Sequence, residues 1–401
     1  MIVKKRLTIF INLLLFIFLI MKKKLVSPGN NYTTERMAGL AEFLKARGSL
    51  LESKKATAGF DGFVDTIVKI IKNKPEKKPA SFFDTKKEFG NYIIEKEGTS
   101  FSLELEELNI KPGGNMPIMA NALGRLGVVT NCVGALGYPQ LHPIFKTLSS
   151  NCHIQSFADP GISTAVEFND GKIFLGQMGK LNGTGWQNIK DALGIEKLVD
   201  LYKESDLLCI VNWAEIDVSS EIWQGLLKDV LPLSTRPGKK QLAFFDLSDC
   251  SKRSARAISI AIGMLKKFAR YTSVIAGLNQ NEARLIYEVL YKNAAGKSLH
   301  FLGEKIFEKL TIDTLVLHSS KEAIAFNKEG KFSCKSFFTN KPKISTGAGD
   351  NFNAGFCAGR LMELDLEPSL IFASTVSGLY IRTGISPELT DTINFLENKT
   401  G

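Results

Sequence analysis

Three short runs in this 401-residue chain combine residue types that can do chemistry. The first is Ser345-Thr346-Gly347-Ala348-Gly349-Asp350-Asn351-Phe352-Asn353-Ala354-Gly355-Phe356. Two glycines around an alanine let backbone N–H groups approach an anion closely, and a helix opening there adds the positive end of its dipole. Asp350 falls in the first turn of that helix, where a carboxylate stays ionised and can act as general base toward an alcohol. Taken in isolation, the run reads equally well as an Asp-capped helix after a Gly-rich turn. The second run is Gly113-Gly114-Asn115-Met116-Pro117, opening a helix that closes at Leu123-Gly124-Arg125-Leu126-Gly127. Alone, it is a Gly-rich helix start with a Gly stop. The third, Asn279-Gln280-Asn281-Glu282, reads alone as a capped helix start with a solvated Glu.

Alternating elements must position these runs. The pattern predicts a helix capped by Thr33 or Thr34 and ending near Gly48, then a strand over 56–60 that runs into a loop holding Asp61 and Asp65. Helices are predicted over 115–126, 221–227, 254–268 and 280–291, and strands over 128–133, 207–211, 242–245, 274–276 and 314–317. Short apolar strands separated by amphipathic helices argue for a mostly parallel sheet covered on both faces, which binds ligands beyond its carboxyl ends. Residues 66–112 have a different texture: a Lys/Pro-rich stretch over 72–79, then the alternation Phe101-Ser102-Leu103-Glu104-Leu105, read as a strand with one wet face. Residues 164–178 look similar, with Asp170-Gly171 as a hairpin turn. The two pieces are expected to form a small sheet apart from the core.

Composition narrows the class. Apolar residues at 44% and charged residues at 23% exclude a disordered chain. Six of the net ten positive charges lie within residues 1–24, which contain no acid, so the body carries no basic block and nucleic acid is not an expected partner. Six scattered cysteines without a CxxC spacing read as small buried thiols of a reduced, cytoplasmic protein. The apolar run over 7–21 is short for a membrane span and carries basic triplets on both flanks. Translation starting at Met21 is the preferred reading over an anchor.

In this order and spacing the three runs resemble the ribokinase-like (PfkB) family of carbohydrate and nucleoside kinases, over residues 56–390. The resemblance implies a three-layer α/β sandwich with a mostly parallel central sheet. Residues 25–401 would form the kinase domain, with a β-rich lid from 66–112 and 160–178. It implies transfer of the γ-phosphate of ATP to a hydroxymethyl group of a carbohydrate. Asp350 matches the family's catalytic base, and the amides of Gly347, Ala348 and Gly349 its anion hole. Asn279 and Glu282 match the NxxE element that orders Mg²⁺ and its waters. Gly113, Gly114 and Asn115 match residues that contact sugar hydroxyls, and Asp65, before Asp61, is the matching acid for two adjacent hydroxyls. Ser319 and Lys321 stand in the region that meets the nucleotide. Relatives commonly dimerise through the lid, so a homodimer is the implied assembly.

Three positions depart from the family pattern. Ile344 replaces an acid that can ligate a monovalent cation, so K⁺ activation is not carried over. Ile118 replaces an Asn that contacts sugar. Leu317-His318-Ser319-Ser320-Lys321-Glu322 stands where TxGxxG is usual, with Ser319 and Glu322 in place of glycines. ATP is the expected donor ahead of ADP. Two other readings compete with the sugar kinase: a nucleoside kinase of the same family, and a sugar sensor on the kinase fold, which the presence of Asp350 disfavours. Asp246 and Asp249 read as turn residues, Trp186, Trp213 and Trp223 as packing, and Lys180 and Arg360 as solvated cations.

Overall fold

The structure, a computed structural model, describes residues 34–76, 78–238 and 240–399; Thr33 and the apolar run over 7–21 lie outside the described residues. The strands are β1 Lys55–Phe60, β2 Phe63–Asn73, β3 Ser81–Phe82, β4 Leu105–Gly113, β5 Val129–Gly134, β6 Cys152–Ser156, β7 Gly161–Phe168, β8 Gly171–Gln177, β9 Leu207–Ile210, β10 Leu242–Asp246, β11 Ser273–Asn279, β12 Thr314–His318, β13 Glu322–Asn327 and β14 Gly330–Lys335. Nine of them make one sheet in the order β14-β13-β12-β11-β10-β9-β1-β5-β6. From β12 through β6 all neighbours are parallel, and β12-β13-β14 is an antiparallel edge.

The parallel strands are short and buried along almost their whole length, β9 completely so. That leaves helices to cover both faces, as crossover connections require. On one face Phe245 packs edge-on against Trp223 and Phe268, with ring centroids 5.1 and 4.8 Å apart, and Trp213 lies beside Trp223. Each such side chain contributes about 1.5–3 kcal/mol on burial. On the other face, helices Asn115–Arg125, Ala348–Leu361 and Leu366–Thr383 pack over Phe244, Ile275 and Val316. The cysteines are all free, and five of the six are buried.

The second sheet has five strands: β3-β2-β7-β8 in order, with β4 on β2. Its distal half is covered on one face by helix Lys86–Glu95, through Phe83, Phe89, Tyr92 and Phe168. The sequence pattern did not reveal that helix, and three details differ from expectation. Asp65 lies in strand β2, not in the loop with Asp61, because the chain re-enters extended structure after Gly62. The alternation over 101–105 is not a strand; β4 begins at Leu105, where pairing with Ile70 starts. The hairpin turn is Asn169-Asp170, one residue earlier, because Gly171 already pairs with Phe168.

Candidate active site

Each functional run sits at a carboxyl end of the parallel strands, where helices begin. Asp61 follows β1. Its buried carboxylate accepts from the backbone N–H of Asn115 and Met116, both at 2.8 Å, and from Asn212 Nδ2 at 2.6 Å. It therefore caps helix Asn115–Arg125 from a distant strand, supplying acceptors for donors the helix cannot satisfy itself. Burial nevertheless pushes its pKa up to about 7, against those hydrogen bonds. Asp65 stands opposite Lys111 on β4 and beside Ser163 on β7. Burial raises its carboxyl too, opposed by Lys111, by a hydrogen bond from Ser163 and by Lys172.

The two glycines are explained by these acids. A Cβ on Gly113 would fall 2.3 Å from the Asp65 carboxylate, and one on Gly114 2.4 Å from Asp61 Oδ2; Gly114 also has φ +92°. Asn115, the next residue, brings its side chain to Asp350.

The turn over 345–349 is pinned by its carbonyls. Tyr380 Oη donates to the Thr346 carbonyl, Asn351 Nδ2 to that of Gly347 and Ser377 Oγ to that of Ala348, each at 2.9 Å. With the carbonyls tied back, N–H groups of the first helical turn are left for a ligand. One of the three expected amides is already used: Ala348 N–H donates to the Ser345 carbonyl at 3.2 Å. Gly347, with φ +91°, and Gly349 remain at the open turn.

Asp350 is buried, and here the sequence expectation needs correction. The helix start does not keep its carboxyl in the usual range: burial, then Asp246 and Asp61, push it well up, and the Asn115 hydrogen bond only partly offsets this. Asp246 belongs to the same group of acids rather than to a solvated turn. It accepts from Asn353 Nδ2 at 2.8 Å and from Ser248 N–H at 2.7 Å, and burial lifts it to about 6. Glu282 is likewise not solvated. It and Asn279 form a capping box, the Asn279 side chain accepting from Asn281 and Glu282 N–H while Glu282 accepts from Asn279 N–H at 2.9 Å. Burial, then Asp246, raise its carboxyl well above the usual range.

A cavity of about 480 Å³ adjoins this turn. Its lining includes the polar Asn279, Ser345, Ser319 and His318, the turn residues Ala348 and Gly349, and the apolar Phe337, Phe338, Pro342 and Ile381. Lys321 is not part of that lining. Lys180 is exposed and paired with Asp159 at 2.9 Å, but Arg360 is not a free solvated cation, since it donates to the Leu364 carbonyl. Among the described residues no three His, Cys, Asp or Glu side chains stand close enough to hold a metal directly.

Asn212, Asp246, Asn353 and Tyr380 were not picked out by sequence reasoning as site residues. Each comes from a separate element; Asp246 carried a signal as an acid ending a buried strand, and Asn353 lay within the run around Asp350.

Comparison with known proteins bears on the fold and the family. Ribokinase of Arabidopsis thaliana, solved with ribose and ATP, superposes with a TM-score of 0.61 at 14% identity, over 86% of this chain and 98% of that one. A ribokinase II from E. coli, solved with ATP and Mg²⁺, gives 0.58 at 13% identity over 86% and 99%. The curated ketohexokinase of Haloferax volcanii is 25% identical over 334 residues, 82% of this chain and 87% of that one. A family model described as prokaryotic ketohexokinase matches residues 37–399. The fold and these matches define a ribokinase-like (PfkB) carbohydrate kinase, a phosphotransferase acting on a small sugar. Within that class, the chain belongs to the prokaryotic ketohexokinase family.

Proposed function

We propose that the protein transfers the γ-phosphoryl group of ATP to a hydroxymethyl group of a ketohexose, with Asp350 as general base. The observation that carries this reading is the approach of Asp65, from the small sheet, to Asp350 and the pinned 345–349 turn, with Lys111 and Tyr380 feeling both acids and the turn lining a cavity of mixed polar and apolar residues. The relative's name, ketohexokinase, supplies the substrate class.

In this mechanism Asp65 accepts from two adjacent sugar hydroxyls, and Gly113, Gly114 and Asn115 let the sugar lie close to the backbone. Asp350 accepts the hydroxymethyl proton as the oxygen attacks. A raised pKa suits that task, because the base must hold the proton once transfer is complete. The N–H groups of Gly347 and Gly349 face the charge that builds on the phosphoryl oxygens. The apolar residues lining the cavity, Phe337, Phe338, Pro342 and Ile381, fit a nucleobase. The oxygen-rich group of Asp246, Glu282 and Asn279 fits Mg²⁺ held through its waters, the hard-donor environment this ion takes. When bound, Mg²⁺ neutralises phosphate charge. The small sheet acts as a lid that brings Asp65 over the sugar and excludes water. On its face away from Asp65, Ile110, Ile162 and Leu175 are 40, 37 and 57% exposed, which supports a homodimer through the lids.

The test is ADP release from Mg·ATP across ketohexoses, aldoses and nucleosides, with and without K⁺, beside an Asp350→Asn control. Turnover of a ketohexose that vanishes in the control is the expected result. Turnover restricted to nucleosides, or binding of a sugar without turnover, would overturn the assignment.

A further inference from the structure

The connection from β12 to β13 departs from the glycine pattern expected at a nucleotide rim, and it leaves one polar ring uncommitted. Ser319 closes this turn with its own hydroxyl, which accepts from the N–H groups of Lys321 and Glu322 at 3.2 and 3.1 Å and donates to the Glu322 carbonyl at 3.1 Å. That hydroxyl is spent. Glu322 meets His300 Nε2 at 3.1 Å, and Lys321 lies off the cavity lining.

His318 differs from all three. It ends β12, in register with Asn279 at the end of β11, and lines the cavity. One ring face packs on Phe352, with centroids 4.9 Å apart at 36°. Its Cε1 and Nε2 lie 3.3 and 3.6 Å from where a Cβ on Gly349 would stand, so the ring adjoins the open helical turn. Neither ring nitrogen has a hydrogen-bond partner among the described residues. The residue is half-buried and neither nitrogen is shut off from the cavity it lines, so both are open to a ligand there. Burial holds the imidazole near a pKa of about 4, so at neutral pH it carries one N–H and one lone pair.

We propose that His318 is a phosphate-binding residue of the nucleotide site, its ring N–H donating to a non-bridging phosphate oxygen of Mg·ATP beside the Gly349 amide. It supplies from a side chain a contact that the altered turn cannot supply from Ser319. The assignment rests on the ATP-kinase reading above.

The full-length protein can test it by calorimetric titration with Mg·ATP and separately with adenosine, which has no phosphate, together with KM and kcat. His318→Phe keeps a ring against Phe352 and removes the N–H; His318→Gln keeps a donor. The expected result for the Phe variant is Mg·ATP binding about tenfold weaker, adenosine binding unchanged, a raised KM for ATP and an unchanged KM for sugar. The Gln variant should return to within about threefold of the parent, as expected for a retained hydrogen bond. Mg·ATP binding unchanged in the Phe variant, or Mg·ATP and adenosine weakened alike, would overturn it in favour of a packing role. If the parent protein binds Mg·ATP but phosphorylates no ketohexose, the substrate assignment falls and the His318 result still decides its own case. If the parent binds no Mg·ATP, both fall.

Discussion

The central sheet and the small sheet treat two aspartates, four residues apart, in opposite ways. Asp61, on the central side, is wholly buried and fastened by two backbone amides and an asparagine. Asp65, on the small sheet, has a serine and two lysines around it and no backbone amide on its carboxylate. Much of the first carboxylate's hydrogen-bonding capacity is consumed in building the site, whereas the second keeps lone pairs for a ligand. Equal residue type, similar depth and adjacent sequence position thus lead to a structural acid and a candidate binding acid, and the difference lies in which elements reach each one.

Several experiments would break or sharpen that contrast. The largest effect is expected outside it, at Asp350, the group the two regions converge on: Asp350→Asn should lower kcat by about 10²- to 10⁴-fold, the usual range for losing a general base, with thermal stability retained. A kcat within tenfold of the parent would remove Asp350 from the chemistry. Next comes Asp61→Ala, expected to cost about 2–4 kcal/mol of stability by orphaning buried donors, as read from denaturant unfolding. Unchanged stability would mean that the carboxylate is not what holds helix Asn115–Arg125 in place. Asp65→Ala should do the reverse, leaving unfolding near the parent value while raising the sugar KM about 10- to 100-fold, as expected for hydrogen bonds to a charged group. A KM unchanged for sugar would send the binding role elsewhere.

The smallest and most diagnostic effect concerns pH. Asp350 must be ionised to act, and its folded-state pKa is raised, so the acid limb of kcat/KM should lie above the range of an ordinary carboxylate, with activity lost as pH falls through it. Asp246→Asn removes a neighbouring negative charge and should move that limb to lower pH. A limb that stays where it was would place the titrating group elsewhere. Stability has its own pH dependence through Asp61. Its carboxyl rises from an ordinary 3.8 to about 7, so the folded state binds the extra proton, and this contribution is present below pH 3.8 and lost as pH rises toward 7.

How much of this could be read from sequence follows from how local each feature is. The runs around Gly113, Asn279 and Asp350 are contiguous, so their place at helix starts was legible, and with it the parallel sheet. Asn212 and Asp246 reach the site only because β9 and β10 end beside β1, information that resides in strand order. The strand misplaced at 101–105 shows the limit of alternation. Phe101, Ser102 and Leu103 alternate like a wet-faced strand yet precede the pairing, which begins only where β2 offers a partner. Helix Lys86–Glu95 was hidden because its amphipathic face meets a sheet of few residues and buries none of its own fully.

The Ser319 turn has a consequence for how such enzymes diverge. At Gly113 and Gly114 the space for any side chain is already filled by an acid, so a change there demands a second change elsewhere before it is tolerated. At the β12–β13 turn a hydroxyl performs the closure that backbone freedom would otherwise provide, and substitution is open one step at a time. Drift should therefore accumulate along the β12–β13 turn faster than at the two glycines, one substitution at a time.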